Sequence, residues 1–115
     1  MVDDAEFARQ KLAGALRSEG YQVLEADNGL SAIHLFERER PAVVFLNVQL
    51  PLLDVVTTLR AMRRVNHEAK VVAVGETAES AVLFTTLKAG AVDFILKPLT
   101  TNRALTTVIK LVGKA

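Results

Sequence analysis

The chain has 115 residues, half of them hydrophobic and 23% charged, with a formal net charge of +1. That length fits one domain over residues 1–115, and the composition is too apolar for a disordered chain. The near-neutral charge gives no electrostatic basis for binding nucleic acid or an anionic membrane, and the lack of cysteine excludes disulfides, thiol catalysis and thiolate metal sites. No apolar run approaches the ~20 residues of a membrane span. Met1-Val-Asp-Asp lacks the basic-then-apolar pattern of a signal peptide, so a cytoplasmic protein is expected.

Behind Asp3-Asp4, the residues Phe7, Ala8, Leu12, Ala15 and Leu16 recur at helical spacing, with Arg9, Lys11 and Arg17 mostly on the other side. Two acids ahead of a helix suit its positive end, and Gly20 supplies a left-handed cap. Tyr21 to Glu25 predicts a short edge strand, polar at Gln22 and Glu25. Asp27-Asn28-Gly29 opens a second helix with Leu30, Ile33 and Phe36 inward. Ala42 to Leu46 is an unbroken apolar run that stops at Asn47 and is bounded by Pro41 and Pro51; it predicts a buried strand of a parallel sheet. Asp54 caps a third helix over 55–64, with Val56, Leu59 and Met62 inward. Lys70 to Val74 predicts another buried strand, ending at Gly75. Thr77 caps a fourth helix running to Lys88, closed by Ala89-Gly90. Val92 to Leu96 is the last strand, stopping at Lys97-Pro98, and a final helix over 101–112 buries Leu105, Val108 and Ile109, with Val112 the next candidate on that face. One helix followed by four strand–helix units predicts an α/β fold, a doubly wound parallel sheet in three α/β/α layers.

In an open parallel sheet, chemistry collects beyond the carboxyl ends of the strands. Asp3, Asp4, Asn47, Gly75 and Lys97 converge there. With Val2-Asp3-Asp4, Asn47-Val-Gln-Leu-Pro51, Gly90-Ala-Val-Asp-Phe94 and Lys97-Pro98 at these spacings, essentially the whole chain resembles the response-regulator receiver domain of two-component signalling. The resemblance implies a flavodoxin-like fold. It implies an aspartate at position 47 that takes a phosphoryl group from a phosphohistidine. It also implies Mg²⁺ on the acidic pair and the Gln49 backbone carbonyl, a hydroxyl at 75 on the phosphoryl oxygen, Lys97 paired with it, and an aromatic switch at Phe94. The parts are a carboxylate nucleophile, a divalent cation on the transferring oxygens and a cationic clamp.

The sequence departs from that pattern at three places. Asn47 has an amide whose nitrogen lone pair is delocalised, a poor nucleophile that forms no acyl phosphate. Gly75 has no hydroxyl. Val55 stands where the family usually has glycine. Asp3, Asp4, Lys97 and Phe94 match. The expectation is therefore a degenerate receiver, a pseudo-receiver that is not an enzyme, has no catalytic residue and requires no cofactor. Any Mg²⁺ site would be a weak one on Asp3, Asp4 and the Gln49 carbonyl, because one carboxylate is gone and Mg²⁺ gives up its water reluctantly. Asn47 is expected to bond its own loop, and Lys97 to pair with Asp4. His34 and His67 read as surface residues. Arg60, Arg63 and Arg64, with His67 and Lys70, read as a solvated helix face.

The fourth helix is apolar around more than one face, at Ala81, Val82, Leu83, Phe84 and Leu87, which marks it as deeply buried or as an interface. The resemblance makes the surface of the fourth helix, last strand and last helix the partner or homodimer face, with Val82, Leu83, Phe84 and Leu87 in it. It implies a histidine kinase or an effector as protein partner.

The family also places an apolar strand before the acidic pair, central in a sheet of order 2-1-3-4-5, and here only Met1 and Val2 precede Asp3. Losing roughly four buried side chains at ~1.5–3 kcal/mol each costs about 6–12 kcal/mol, which rivals the net stability of a domain. The first, central strand is expected to be truncated or missing, with a dimer or other assembly compensating. The other readings are residues of the natural protein ahead of Met1, or a four-stranded sheet with Asp3-Asp4 displaced. Two other functions stay open. One is a working receiver carrying an Asp-to-Asn substitution at position 47, which Gly75 argues against. The other is a small nucleotide-binding α/β protein or enzyme, for which Gly75-Glu-Thr-Ala78 is a poor phosphate cradle.

Overall fold

The computed structural model describes residues 1–50, 54–77 and 79–115. The elements run α1 (Glu6–Ser18), α2 (Gly29–Glu39), β1 (Val43–Asn47), α3 (Val55–Val65), β2 (Lys70–Gly75), α4 (Ser80–Lys88), β3 (Asp93–Leu96) and α5 (Thr101–Val112). The three strands pair in parallel in the order β1-β2-β3. Their apolar runs leave no polar side for water, so helices must cover both faces. Phe36 of α2 and Leu59 and Met62 of α3 pack with Val44, Val71 and Ala73 on one face. Leu12 and Leu16 of α1 and Ala104 and Val108 of α5 pack with Phe45, Val72 and Ile95 on the other. This is the expected three-layer, doubly wound α/β architecture.

Local chemistry sets the helix starts. The side chain of Asn28 accepts from Ser31 N–H at 2.8 Å, Asp54 from Thr57 N–H at 2.8 Å and Thr100 from Arg103 N–H at 3.1 Å. Each satisfies a backbone donor that the first helical turn leaves free. Val55 opens α3 behind this cap and is half-buried. Pro51, expected to close the loop after Asn47, and Ala78 of the glycine-led turn lie outside the described residues.

Several expectations need correction. Tyr21 to Glu25 forms no regular strand; the bridge to Val2 is made by Ala26, just beyond that stretch. The reason is that its neighbour on the sheet side is so short. Phe7 is 83% exposed and Leu30 is 49% exposed, so the buried stripes of α1 and α2 are Leu12, Ala13 and Leu16, and Ala32, Ile33 and Phe36. Helical periodicity gives a stripe but not its edges: Ala13 is buried, while Ala8 is exposed and Ala15 only partly covered. In α3, Val56 is only partly buried, and Thr58 sits fully inside because its hydroxyl donates to the Asp54 carbonyl at 2.8 Å. Thr77 does not cap α4. Its hydroxyl accepts from Glu79 N–H at 3.2 Å, and the helix starts at Ser80.

The first strand is truncated rather than missing. Val2 bridges in parallel to both Ala26 and Leu46 and is buried. Asp3 is thereby held at the sheet edge, so a displaced acidic pair is excluded for Asp3.

Candidate functional site

Three strand ends build the site. Asn47 closes β1 beside Val74, and Gly75 closes β2 beside Leu96, with Lys97 N–H donating to the Gly75 carbonyl at 2.8 Å. Val2 brings Asp3 to the same edge, since Asn47 N–H donates to the Val2 carbonyl at 3.0 Å. The Lys97–Pro98 peptide bond is cis.

The centre of the site is the buried amide of Asn47. Its Nδ2 donates to Asp3 Oδ1 at 3.2 Å and to the Gln49 carbonyl at 3.1 Å, and its Oδ1 takes a long contact from Gln49 N–H at 3.5 Å. Asp3 Oδ1 also accepts from Ala5 N–H at 2.9 Å. An NH₂ group therefore stands between a carboxylate and a carbonyl, and a cation reaching both oxygens would have to displace it. Among the described residues, no group of three or more His, Cys, Asp or Glu could hold a metal ion.

Asp4 is exposed, and among the described residues no ion pair joins it to Lys97, contrary to expectation. A turn that aims Asp3 at Asn47 sends the next side chain outward. Lys97 instead lines, with Asp3, Asn47, Leu12, Val74 and Leu99, a pocket of about 410 Å³ beside the amide. Arg9 was assigned to the solvent side of α1, but it turns back. Its Nη1 donates to the Asp3 carbonyl at 2.8 Å and its Nε to Glu25 at 3.2 Å. Arg17 pairs with the same Glu25 at 3.1 Å. No periodicity signal distinguishes such an arginine from a solvated one; its partners are remote in sequence.

Phe94 is half-buried and faces Gly75. A β-carbon at position 75 would stand 2.8 Å from Phe94 Cζ and 2.9 Å from Val48 Cγ2. On α4, only Thr86 is buried. Val82 and Leu83 are partly covered, while Phe84 and Leu87 are 65% and 41% exposed, and Lys88 Nζ lies 5.6 Å from the Phe84 ring centroid. The apolar excess of this helix therefore points outward.

Residues 1–110 match the family described as the response regulator receiver domain. The chain belongs to that family. It is a receiver domain of two-component signalling, a class of signalling module. It is 29% identical over 111 residues to the chemotaxis protein CheY of Bacillus subtilis, covering 96% of this chain and 92% of that one. It is 30% identical over 111 residues to the chemotaxis protein CheY of Listeria monocytogenes, covering 96% and 93%. Among solved structures it resembles the receiver domain of NtrX from Brucella abortus, with a TM-score of 0.87, 27% identity and 99% and 97% coverage. It also resembles the signal receiver domain of NarL from Mycobacterium tuberculosis, with a TM-score of 0.86, 28% identity and 95% and 90% coverage. No helix of the described residues of this receiver is long and apolar enough to cross a membrane.

Proposed function

We propose that residues 1–115 form one receiver unit that works by protein–protein contact, without phosphorylation at position 47 and without a required cation. The observation that carries this reading is the double hydrogen bond from the Asn47 amide to Asp3 and the Gln49 carbonyl. The side chain supplies donors where a phosphoacceptor needs a carboxylate, and it joins the two oxygens that would otherwise face a cation. Gly75 supports the same reading, because it offers no hydroxyl and its space is taken by Phe94.

The partner is a protein of a bacterial-type signalling pathway in the cytoplasm, a histidine kinase or an effector. The contact or homodimer face is the exposed side of α4 with β3 and α5. Phe84 and Leu87 of α4, Val92 just ahead of β3 and Leu96 in it are all more than two-fifths exposed, and exposed large apolar side chains in neighbouring elements support an interaction surface.

The test is incubation with acetyl phosphate and Mg²⁺ followed by intact-mass measurement. The expected spectrum is unchanged. A gain of one phosphoryl group on the unmodified chain would sink the reading and restore the working-receiver alternative.

A further inference from the structure

The cleft beside the Asn47 amide holds two opposite charges that do not meet. Asp3 and Lys97 both line it and both are partly covered. Among the described residues neither joins an ion pair. Asp3 is held through one oxygen: its Oδ1 accepts from Asn47 Nδ2 at 3.2 Å and from Ala5 N–H at 2.9 Å. Its Oδ2 accepts no hydrogen bond from the described residues. A carboxylate and an ammonium facing one sheltered space each call for an opposite partner to offset their lost hydration.

Most of the remaining lining is apolar. Leu12 of α1, Phe45 of β1 and Val74 of β2 are its buried part, and Leu99, after β3, packs with the same cluster. Ala5 and Ala8 are exposed at its rim, where each offers only a methyl group and leaves the cleft unroofed. Its volume is about 410 Å³. That lies near the low end of the ~300–1,000 Å³ of ligand pockets, which suits a small molecule rather than a nucleotide or a peptide.

Charge then selects the occupant. A phosphate or a fatty carboxylate satisfies Lys97 but meets Asp3 as a like charge, and an apolar amine does the reverse. A zwitterion satisfies both. We propose that the cleft binds a free α-amino acid with an apolar side chain of the leucine or phenylalanine class. Its carboxylate meets the Lys97 ammonium, its ammonium meets Asp3 Oδ2, and its side chain lies against Leu12, Phe45, Val74 and Leu99. Charge-assisted hydrogen bonds at both ends fix the orientation, and apolar burial selects the side chain. The inference rests on the cation-free reading of the site, because Mg²⁺ on Asp3 would take the place of the ligand's ammonium. Bound there, the amino acid bridges α1 to the segment after β3, an input that does not use position 47.

The test titrates the full chain with L-leucine and L-phenylalanine in EDTA, by calorimetry and amide NMR. The buffer keeps two outcomes apart: absent binding here counts against the cleft, whereas a phosphoryl gain in acetyl phosphate and Mg²⁺ counts against the reading of position 47. The expected result is saturable one-to-one binding that shifts the Leu12, Val74 and Leu99 amides. Isocaproate, which lacks the ammonium, and isoamylamine, which lacks the carboxylate, should each bind more weakly than leucine by about tenfold or more. Lys97→Met should weaken leucine without weakening isoamylamine, and Asp3→Asn should weaken leucine without weakening isocaproate. Ala8→Phe, at an exposed helical position, should keep the parent's urea midpoint and lose binding, because the ring roofs the cleft. Three results overturn the proposal. One is no saturable binding of either amino acid. Another is binding of isocaproate or isoamylamine equal to that of leucine. The last is amide shifts confined to other parts of the chain, or undiminished binding by a folded Ala8→Phe variant, either of which places the ligand elsewhere.

Discussion

The ring of Phe94 lies where a side chain at position 75 would have to go. A β-carbon on Gly75 would come within 2.8 Å of Phe94 Cζ, closer than packed atoms tolerate. Glycine here is what lets the aromatic ring lie against the end of β2. Replacing Gly75 by Thr should push the ring outward and cost about 1–3 kcal/mol, as overpacking does. Urea unfolding gives the cost, and the Phe94 ring resonances give the displacement. Unchanged ring shifts in a fully stable variant would contradict the packing described.

Asn47 invites the complementary change. Asn47→Asp removes the two donors that hold Asp3 Oδ1 and the Gln49 carbonyl and sets acceptors against them. In a cation-free buffer the variant should lose about 1–3 kcal/mol, the range for leaving buried polar groups unpaired. Millimolar Mg²⁺ should restore much of it, while the parent chain should show no Mg²⁺-dependent stabilisation. Thermal unfolding with and without the ion separates the cases. Equal stabilisation of both proteins would show that the amide does not stand in for a cation.

Stability should depend on pH through the chain's own first atom. Burial pushes the Met1 α-ammonium down from 8.0 to about 6, with Glu25 opposing the shift and Arg9 and Arg17 adding to it. The folded value lies below the unfolded one, so the unfolded chain holds more protons between pH 6 and 8. Stability from this group therefore rises with pH across that window, and the cost of burying the charge is fully present below it. The size is on the order of 2–3 kcal/mol. Urea midpoints at both ends of the window, compared with an N-terminally acetylated sample lacking the effect, provide the measurement.

The outward side of α4 can be tested apart from the core. Phe84→Ser and Leu87→Ser alter side chains that are 65% and 41% exposed, so monomer stability should change by only about 0.5 kcal/mol. Partner binding or self-association should drop instead. Light scattering and pull-down with a purified partner read this directly, and undiminished association would move the interface elsewhere.

Strands whose residues are apolar on both faces were legible from sequence because only a fully covered strand can use such residues. β1 and β2 start and stop within a residue or two of their apolar runs. The Asp54 cap was legible for the same local reason: its partner is Thr57, three residues away. Tyr21 to Glu25 was not, because a strand needs a neighbour and the neighbour is Met1–Asp3. The turned-back Arg9 escaped notice because its partners, the Asp3 carbonyl and Glu25, flank it from different segments.

At the strand end after Leu46, the sequence alone determined that a carboxylate is absent and an amide present, since that is a matter of which atoms exist. It also determined the alternation of elements that brings Asp3, Asn47, Gly75 and Lys97 to one edge, because parallel strands share one polarity. Only the tertiary structure decided what the amide does: whether Nδ2 meets Asp3, 44 residues away, depends on Val2 seating between Ala26 and Leu46. It likewise decided that Phe94 fills the space at Gly75. Contacts between segments far apart in the chain depend on distances to within an ångström, and no local pattern of residue types encodes those.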